Sequence, residues 1–165
     1  MIVRDRRPAD DDAIDRLTRT AFAASPRGHN GEAELVRQLR ADGDAAIELL
    51  AEEDAAVIGH VMLSPMRTPS GALGLGPISA DPSRWREGIG SALMRAAIDR
   101  AATSGAKLIF LLGEPSFYGR FGFDTVVANQ FDHDFPPAYF QALRLAEGGP
   151  EHGSCRYAAA FGDGG

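Results

Sequence analysis

Apolar positions in the first part of the chain follow a helical period. Ile14, Leu17 and Ala21 recur at three- and four-residue intervals, and Phe22 extends the same face. Pro8 followed by Asp10, Asp11 and Asp12 places proline and acids where a helix start favours them. The pattern predicts a short strand over residues 2–6, then this helix, then a second short helix with Leu35, Val36 and Leu39 on one face, closed by Asp42-Gly43-Asp44. Residues 25–31 between the helices read as a loop. Strands are predicted over 46–51 and 55–64 around a turn at Glu52-Glu53-Asp54, and over 72–80 after a turn at 65–71. Residues 88–104 carry a stripe of Ile89, Leu93, Ala97 and Ala101, with Arg95, Asp99 and Arg100 pointing elsewhere and Gly105 as terminator. Beyond Lys107 the chain is continuously apolar to residue 112, the pattern of a strand buried on both faces. Strand, turn, helix and strand in this order form a βαβ crossover, which predicts two parallel strands in one sheet.

The 165 residues fit one domain, 1–165, without internal repeat, linker or low-complexity tract, and Gly162-Asp163-Gly164-Gly165 reads as an unstructured end. A hydrophobic fraction of 44% and a charged fraction of 24% are those of a soluble globular protein. No apolar run is long enough to cross a bilayer, and the opening Met1-Ile2-Val3-Arg4-Asp5 lacks the apolar region of a signal peptide. A single cysteine, Cys155, excludes an intrachain disulfide and points to the reducing cytoplasm. The formal net charge of -6 argues against nonspecific nucleic-acid binding and is compatible with a cationic substrate.

Three segments carry candidate chemistry. In Arg86-Glu87-Gly88-Ile89-Gly90-Ser91 the strand hands over to the long helix; two glycines let a ligand approach, and the first-turn amides point at an anion with the helix dipole behind them. A dinucleotide fingerprint is disfavoured, because Arg86 stands where its first glycine belongs. In the strand 72–80, Gly76-Pro77 marks a bulge that would splay it from its parallel neighbour, leaving backbone groups of Ile78, Ser79 and Ala80 to an extended ligand. In 113–123, Pro115 can start and Gly122 can end a short helix that sets Tyr118 beside the strand ends, with Phe117, Phe121 and Phe123 expected in the core. The four histidines show no metal-ligand spacing, and Cys155 reads as a small buried residue.

Read together, these segments resemble the GNAT superfamily of N-acetyltransferases. Leu75-Gly76-Pro77-Ile78-Ser79-Ala80-Asp81-Pro82 is similar to its fourth strand, Gly88-Ile89-Gly90-Ser91-Ala92-Leu93-Met94 to its pyrophosphate loop and third helix, and Phe117-Tyr118-Gly119-Arg120-Phe121-Gly122-Phe123 to its fourth-helix signature. The likeness extends to the bacterial YhbS-like subgroup, through the Glu-Ala-x-Leu-Val stretch at 32–36 and the tail from Phe135-Pro136-Pro137 to Tyr157-Ala158-Ala159-Ala160-Phe161. One position departs: the family pattern has glutamine or arginine three residues before the first loop glycine, and here it is Trp85, flanked by Arg84 and Arg86.

The resemblance implies an α/β fold of the α+β kind, with a central mixed, mostly antiparallel sheet flanked by helices and a splayed parallel strand pair. It implies transfer of an acetyl group from acetyl-CoA to a primary amine of a small molecule, peptide or protein by direct attack on the thioester through a tetrahedral intermediate, without a metal. Ile78, Ser79, Ala80, Arg86, Glu87, Gly88, Ile89, Gly90, Ser91, Gly113, Ser116 and Tyr118 would contact coenzyme A. The Ser79 N–H or a neighbour would stabilise the oxyanion, Tyr118 would protonate the leaving thiolate, and Glu32, with Glu114 as second candidate, would take the amine's proton. A noncatalytic acyl-CoA-binding sensor or scaffold is the alternative. The expected partners are acetyl-CoA and an amine acceptor, with neither nucleic acid nor membrane, in a monomer or homodimer.

Overall fold

The computed structural model describes residues 1–25 and 31–162, so the predicted loop at 25–31 and the glycine-rich end lie almost wholly outside the described residues. Strand β1 is Ile2–Asp5, followed by a 3-10 turn at Pro8–Asp10 and helices α1, Asp11–Ala24, and α2, Glu32–Ala41. Strands β2, Ile47–Glu53, β3, Ala56–Pro65, and β4, Ala72–Ala80, precede helix α3, Ile89–Thr103. After β5, Leu108–Leu112, come α4, Pro115–Tyr118, and α5, Thr125–Ala128; the short strands β6, Phe131–Asp132, β7, Phe140–Arg144, and β8, Gly153–Ser154, complete the fold. The sheet order is β1-β2-β3-β4-β5-β7, with β6 and β8 forming a separate parallel pair. β1–β2, β2–β3 and β5–β7 are antiparallel, and β4–β5 is parallel. The mixed, mostly antiparallel sheet and its parallel pair are those expected from the sequence.

The chain divides into two units, Met1–Leu63 with Gly76–Ile98 and Ser64–Leu75 with Asp99–Gly165. In the first unit, α1 buries Ile14, Leu17 and Ala21 as its spacing requires, and also Thr18, whose hydroxyl donates back to the Ile14 carbonyl at 2.7 Å. α2 buries Ala33, Val36 and Leu39, while Leu35 is half-buried. The β2–β3 hairpin corrects one expectation: Glu52 and Glu53 belong to the strand, and the connection is Asp54-Ala55, both at positive φ (51° and 65°). Two residues at positive φ make the tight turn that matches strand twist, but an alanine gives no sequence signal for it. α3 lies close on this hairpin; a Cβ at Gly59 would stand 2.6 Å from Ile89 Cγ2 and 2.8 Å from Leu93 Cδ1.

A polar cluster runs through the same unit. Glu48 on β2 is 8% exposed and accepts two hydrogen bonds from Arg40 Nε, at 3.0 and 3.1 Å, and one from Nη2 at 2.5 Å. Fully buried His60 on β3 reaches the same carboxylate at 2.7 Å. An ionised carboxylate only accepts, so the His60 Nε2 carries the proton. Arg40 also faces Asp11 at 3.5 Å, and Arg6 holds Asp11 at both oxygens, at 2.7 and 2.6 Å.

In the second unit, Phe110, Phe131, Phe140, Ala142, Cys155 and Tyr157 form one core. Leu108, Ile109, Phe110 and Leu111 are fully buried, as the apolar run predicts, but Leu112 is 43% exposed because β5 ends there. The parallel register pairs Ala72 with Leu108, Leu73 with Ile109 and Gly74 with Phe110, and goes no further. Two residues on, Gly76 has φ +149°, a conformation other residues rarely adopt. The predicted break in pairing therefore comes where glycine and proline interrupt the strand.

Candidate active site

Past the break, β4 alternates: Pro77 and Ser79 are buried, while Ile78 and Ala80 are partly exposed. The Ser79 hydroxyl is buried without a hydrogen-bond partner among the described residues. Asp81 ends the strand by donating its N–H to the Ile58 carbonyl at 2.9 Å, and its carboxylate accepts from the Ser83 N–H at 2.9 Å and hydroxyl at 2.8 Å, starting a 3-10 turn over Pro82–Arg84.

The loop that follows is held open. Gly88 has φ +85°, and a Cβ built there would meet nothing within 4 Å. The first helical hydrogen bond of α3 runs from the Ala92 N–H to the Gly88 carbonyl at 3.0 Å, so the amides of Ile89 and Gly90 have no carbonyl a turn earlier to receive them. Ile89 is 2% exposed, so its side chain serves the core and only its backbone faces the loop. Gly90 and Ser91 are half-exposed; Glu87 and Arg86 are exposed. The two arginines beside Trp85 separate clearly. Arg84 is committed to Glu53 and, at 3.0 Å, to Glu87. Arg86, at φ +72°, has no ion-pair or hydrogen-bond partner among the described residues. Helix N-terminal amides, an open glycine and an uncommitted guanidinium form a donor set suited to a diphosphate.

Tyr118 is built into the second unit by its neighbours. Its ring lies against the backbone of Gly113, where a Cβ would fall 2.2 Å from Cε2. Gly113 is itself pinned by β7: its N–H donates to the Tyr139 carbonyl at 3.1 Å, and its carbonyl accepts from Gln141 Nε2 at 2.9 Å. Pro115 begins α4, and Gly122 at φ +98° ends the turn that follows it. Burial pushes the Tyr118 phenol up to about 12, so it keeps its proton at neutral pH. Of the phenylalanines expected in the core, only Phe123 is there, at 5% exposure. Phe117 and Phe121 are half-buried, because α4 is a single turn at the surface; Arg120 lies over both rings, at 4.9 and 5.6 Å. Ser116 is exposed on the same turn. Replacing Gly113 by alanine should therefore force the Tyr118 ring aside and lower stability by about 1–3 kcal/mol in urea unfolding; an unchanged midpoint would mean that the ring shifts freely.

Glu32 is the first residue of α2 and borders a cleft of about 410 Å³ with Thr18, Arg19, Phe22 and Glu34. None of residues 78–80 or 86–91 lines that cleft. The structure thus groups Ile78, Ser79 and Ala80 with the 86–91 loop in one unit and Gly113, Ser116 and Tyr118 in the other. Glu114 precedes α4, and its carbonyl accepts from the N–H groups of Phe117 and Tyr118, both at 3.1 Å. Cys155 is 4% exposed and burial pushes its thiol up to about 12, as suits a packing residue rather than a nucleophile. Among the described residues, no three His, Cys, Asp or Glu are grouped to hold a metal ion, and no helix is long and apolar enough to cross a membrane. Sequence reasoning missed Gln141: a glutamine in a short strand reads as an ordinary polar position, and only the fold reveals that it fixes Gly113.

The profile of the acetyltransferase (GNAT) family matches residues 12–123. The chain is 31% identical over 153 residues to the uncharacterized N-acetyltransferase YhbS of Escherichia coli K12, covering 89% of each. Among solved structures, it is similar to a GNAT family acetyltransferase from Brucella melitensis in complex with acetyl-CoA, at 35% identity and a TM-score of 0.84, over 98% of this chain and 97% of that one. It is also similar to the crystal structure of E. coli YhbS in complex with CoA, at 29% identity and a TM-score of 0.86, over 97% and 91% of the two chains.

Proposed function

Because the chain belongs to the acetyltransferase (GNAT) family, we propose that it transfers an acetyl group from acetyl-CoA to a primary amine of a small molecule, peptide or protein. The observation that carries the reading is the open turn at Gly88, where amides at the start of α3 and the uncommitted Arg86 offer donors to a diphosphate. The Brucella relative's acetyl-CoA and the YhbS structure's CoA support the same donor. Bound there, acetyl-CoA supplies an activated thioester.

The chain's own residues would do the rest. Ile78 and Ala80 are partly exposed past the strand break and would offer backbone groups to an extended ligand, except the Ala80 carbonyl, which accepts from the Trp85 indole; the Ser79 N–H or a neighbour would donate to the oxygen where negative charge develops. Tyr118 would hold its phenolic proton for the departing sulfur. An amine with an ordinary pKa near ~10.4 is protonated at neutral pH and must lose a proton before it attacks; Glu32, with its cleft, is the proposed acceptor of that proton, and Glu114 the second candidate. The site uses no metal, and the protein works in the cytoplasm as a monomer or homodimer, without nucleic acid or membrane.

The test is coenzyme A release from acetyl-CoA across a panel of amines, with calorimetry of acetyl-CoA alone. Binding together with amine-dependent release is the expected result; binding without release for any amine would leave a sensor or scaffold instead. Within the same assay, Arg86→Ala should raise the apparent Michaelis constant for acetyl-CoA by about tenfold while turnover changes little, the effect of losing one charge-assisted contact. Wild-type behaviour of that variant would mean that the amides suffice.

A further inference from the structure

Trp85 replaces the polar side chain of the family pattern, and its posture suggests what it does instead. The indole Nε1–H donates to the Ala80 carbonyl at 3.0 Å, yet 44% of the residue remains exposed. Tryptophans are usually well buried, so one that is anchored but uncovered invites a ligand. Its segment is held in place on both sides: Asp81 is tied to Ile58 and Ser83, and Arg84 is clamped by Glu53 and Glu87. The ring is therefore oriented before a ligand arrives, and little side-chain freedom remains to be lost on binding. Next to it in the chain come Arg86, free among the described residues, and the open amides at 88–90. A flat aromatic face followed by a cation and a turn suited to a diphosphate matches one chemical class: a nucleotide with several phosphates.

We propose that Trp85 is the stacking platform for the adenine ring of the acetyl donor, a positioning residue for its nucleotide half. The proposal rests on the coenzyme A reading above. An indole accepts any base on its face, and stacking needs no polar partner on the ring, which suits a site where the neighbouring polar side chain, Arg84, is already engaged.

Trp85 is the chain's single tryptophan, so its fluorescence reports on this site alone. The wild-type protein is titrated with acetyl-CoA, with adenosine 3′,5′-bisphosphate and with S-acetyl-phosphopantetheine. Quenching by the first two and not by the third is expected. By calorimetry, Trp85→Ala should bind acetyl-CoA about tenfold more weakly, with unchanged affinity for S-acetyl-phosphopantetheine. Trp85→Phe, which keeps a ring but loses the bond to Ala80, should fall between. Acetyl-CoA heat without any change in emission overturns the proposal and leaves the coenzyme A reading standing, as does an equal loss of affinity for both acetyl donors in Trp85→Ala. The absence of acetyl-CoA heat in the wild type overturns both.

Discussion

Tyr118→Phe should lower the single-turnover rate of acetyl transfer by about 10²–10⁴-fold, the usual contribution of a general acid, while acetyl-CoA affinity stays close to wild type. The variant keeps the ring that rests on Gly113 and its edge-on contacts with Phe117 and Phe123, at 4.9 and 6.3 Å between centroids, so packing is preserved and only the hydroxyl is lost. A proton donor at the leaving sulfur acts as the carbon–sulfur bond breaks, and its loss appears in turnover rather than in binding. Burial carries the phenol up to about 12, so the wild-type rate should show no alkaline decline assignable to Tyr118 until the pH nears that value. A Tyr118→Phe variant with the wild-type chemical rate would reduce Tyr118 to a packing residue, with water protonating the thiolate.

Glu48→Ala should lower stability by about 3–5 kcal/mol, the effect of removing one partner from a buried ion pair. Arg40, whose side chain is 12% exposed, would keep its charge without its main partner, and His60 would lose its hydrogen bond to the carboxylate. Burial alone would push the Glu48 carboxyl up, but hydrogen bonds from His60 and then Arg40 more than reverse this and hold it at about 2, below the usual carboxylate range. For an acid whose folded pKa is depressed, the stabilisation is complete above the unfolded value of 4.5 and is lost as pH falls from there through about 2. Urea unfolding at neutral pH and along an acid series checks both statements. Adding Arg40→Met to Glu48→Ala should recover part of the loss, because the stranded charge is gone; a Glu48→Ala cost under about 1 kcal/mol would show that water already reaches the cluster.

Features set by neighbours along the chain were legible in the sequence. The stripe on α3, the Gly76-Pro77 break and the turn bounded by Pro115 and Gly122 each follow from local periodicity or from backbone restrictions of glycine and proline. The Arg40–Glu48–His60 cluster was not legible: it joins a helix to two strands, and in the sequence Glu48 is a polar position in a strand and His60 a lone imidazole. Gln141 was hidden for the same reason. The Asp54-Ala55 turn escaped because alanine carries no mark of positive φ, and Phe117 and Phe121 misled because aromatic spacing does not tell a core from a surface turn shielded by Arg120. For Trp85 the sequence marked a departure, and the bond to Ala80 supplied its geometry.

The two end strands of the sheet bear on how the protein behaves when crowded. An uncovered strand edge is a template for another chain, and proteins avoid aggregation by keeping such edges short, charged or covered. β1 is only four residues long; Arg4 reaches both Asp10 and Glu52, and the terminal amino group faces Glu53 at 3.5 Å. At β7, Asp124 and Ala142 exchange N–H to carbonyl hydrogen bonds, both at 3.0 Å, so the outward-facing groups of Ala142 are already taken. An incoming strand would meet a charged, ion-paired border at one end and occupied hydrogen-bonding groups at the other, which disfavours growth of the sheet from molecule to molecule.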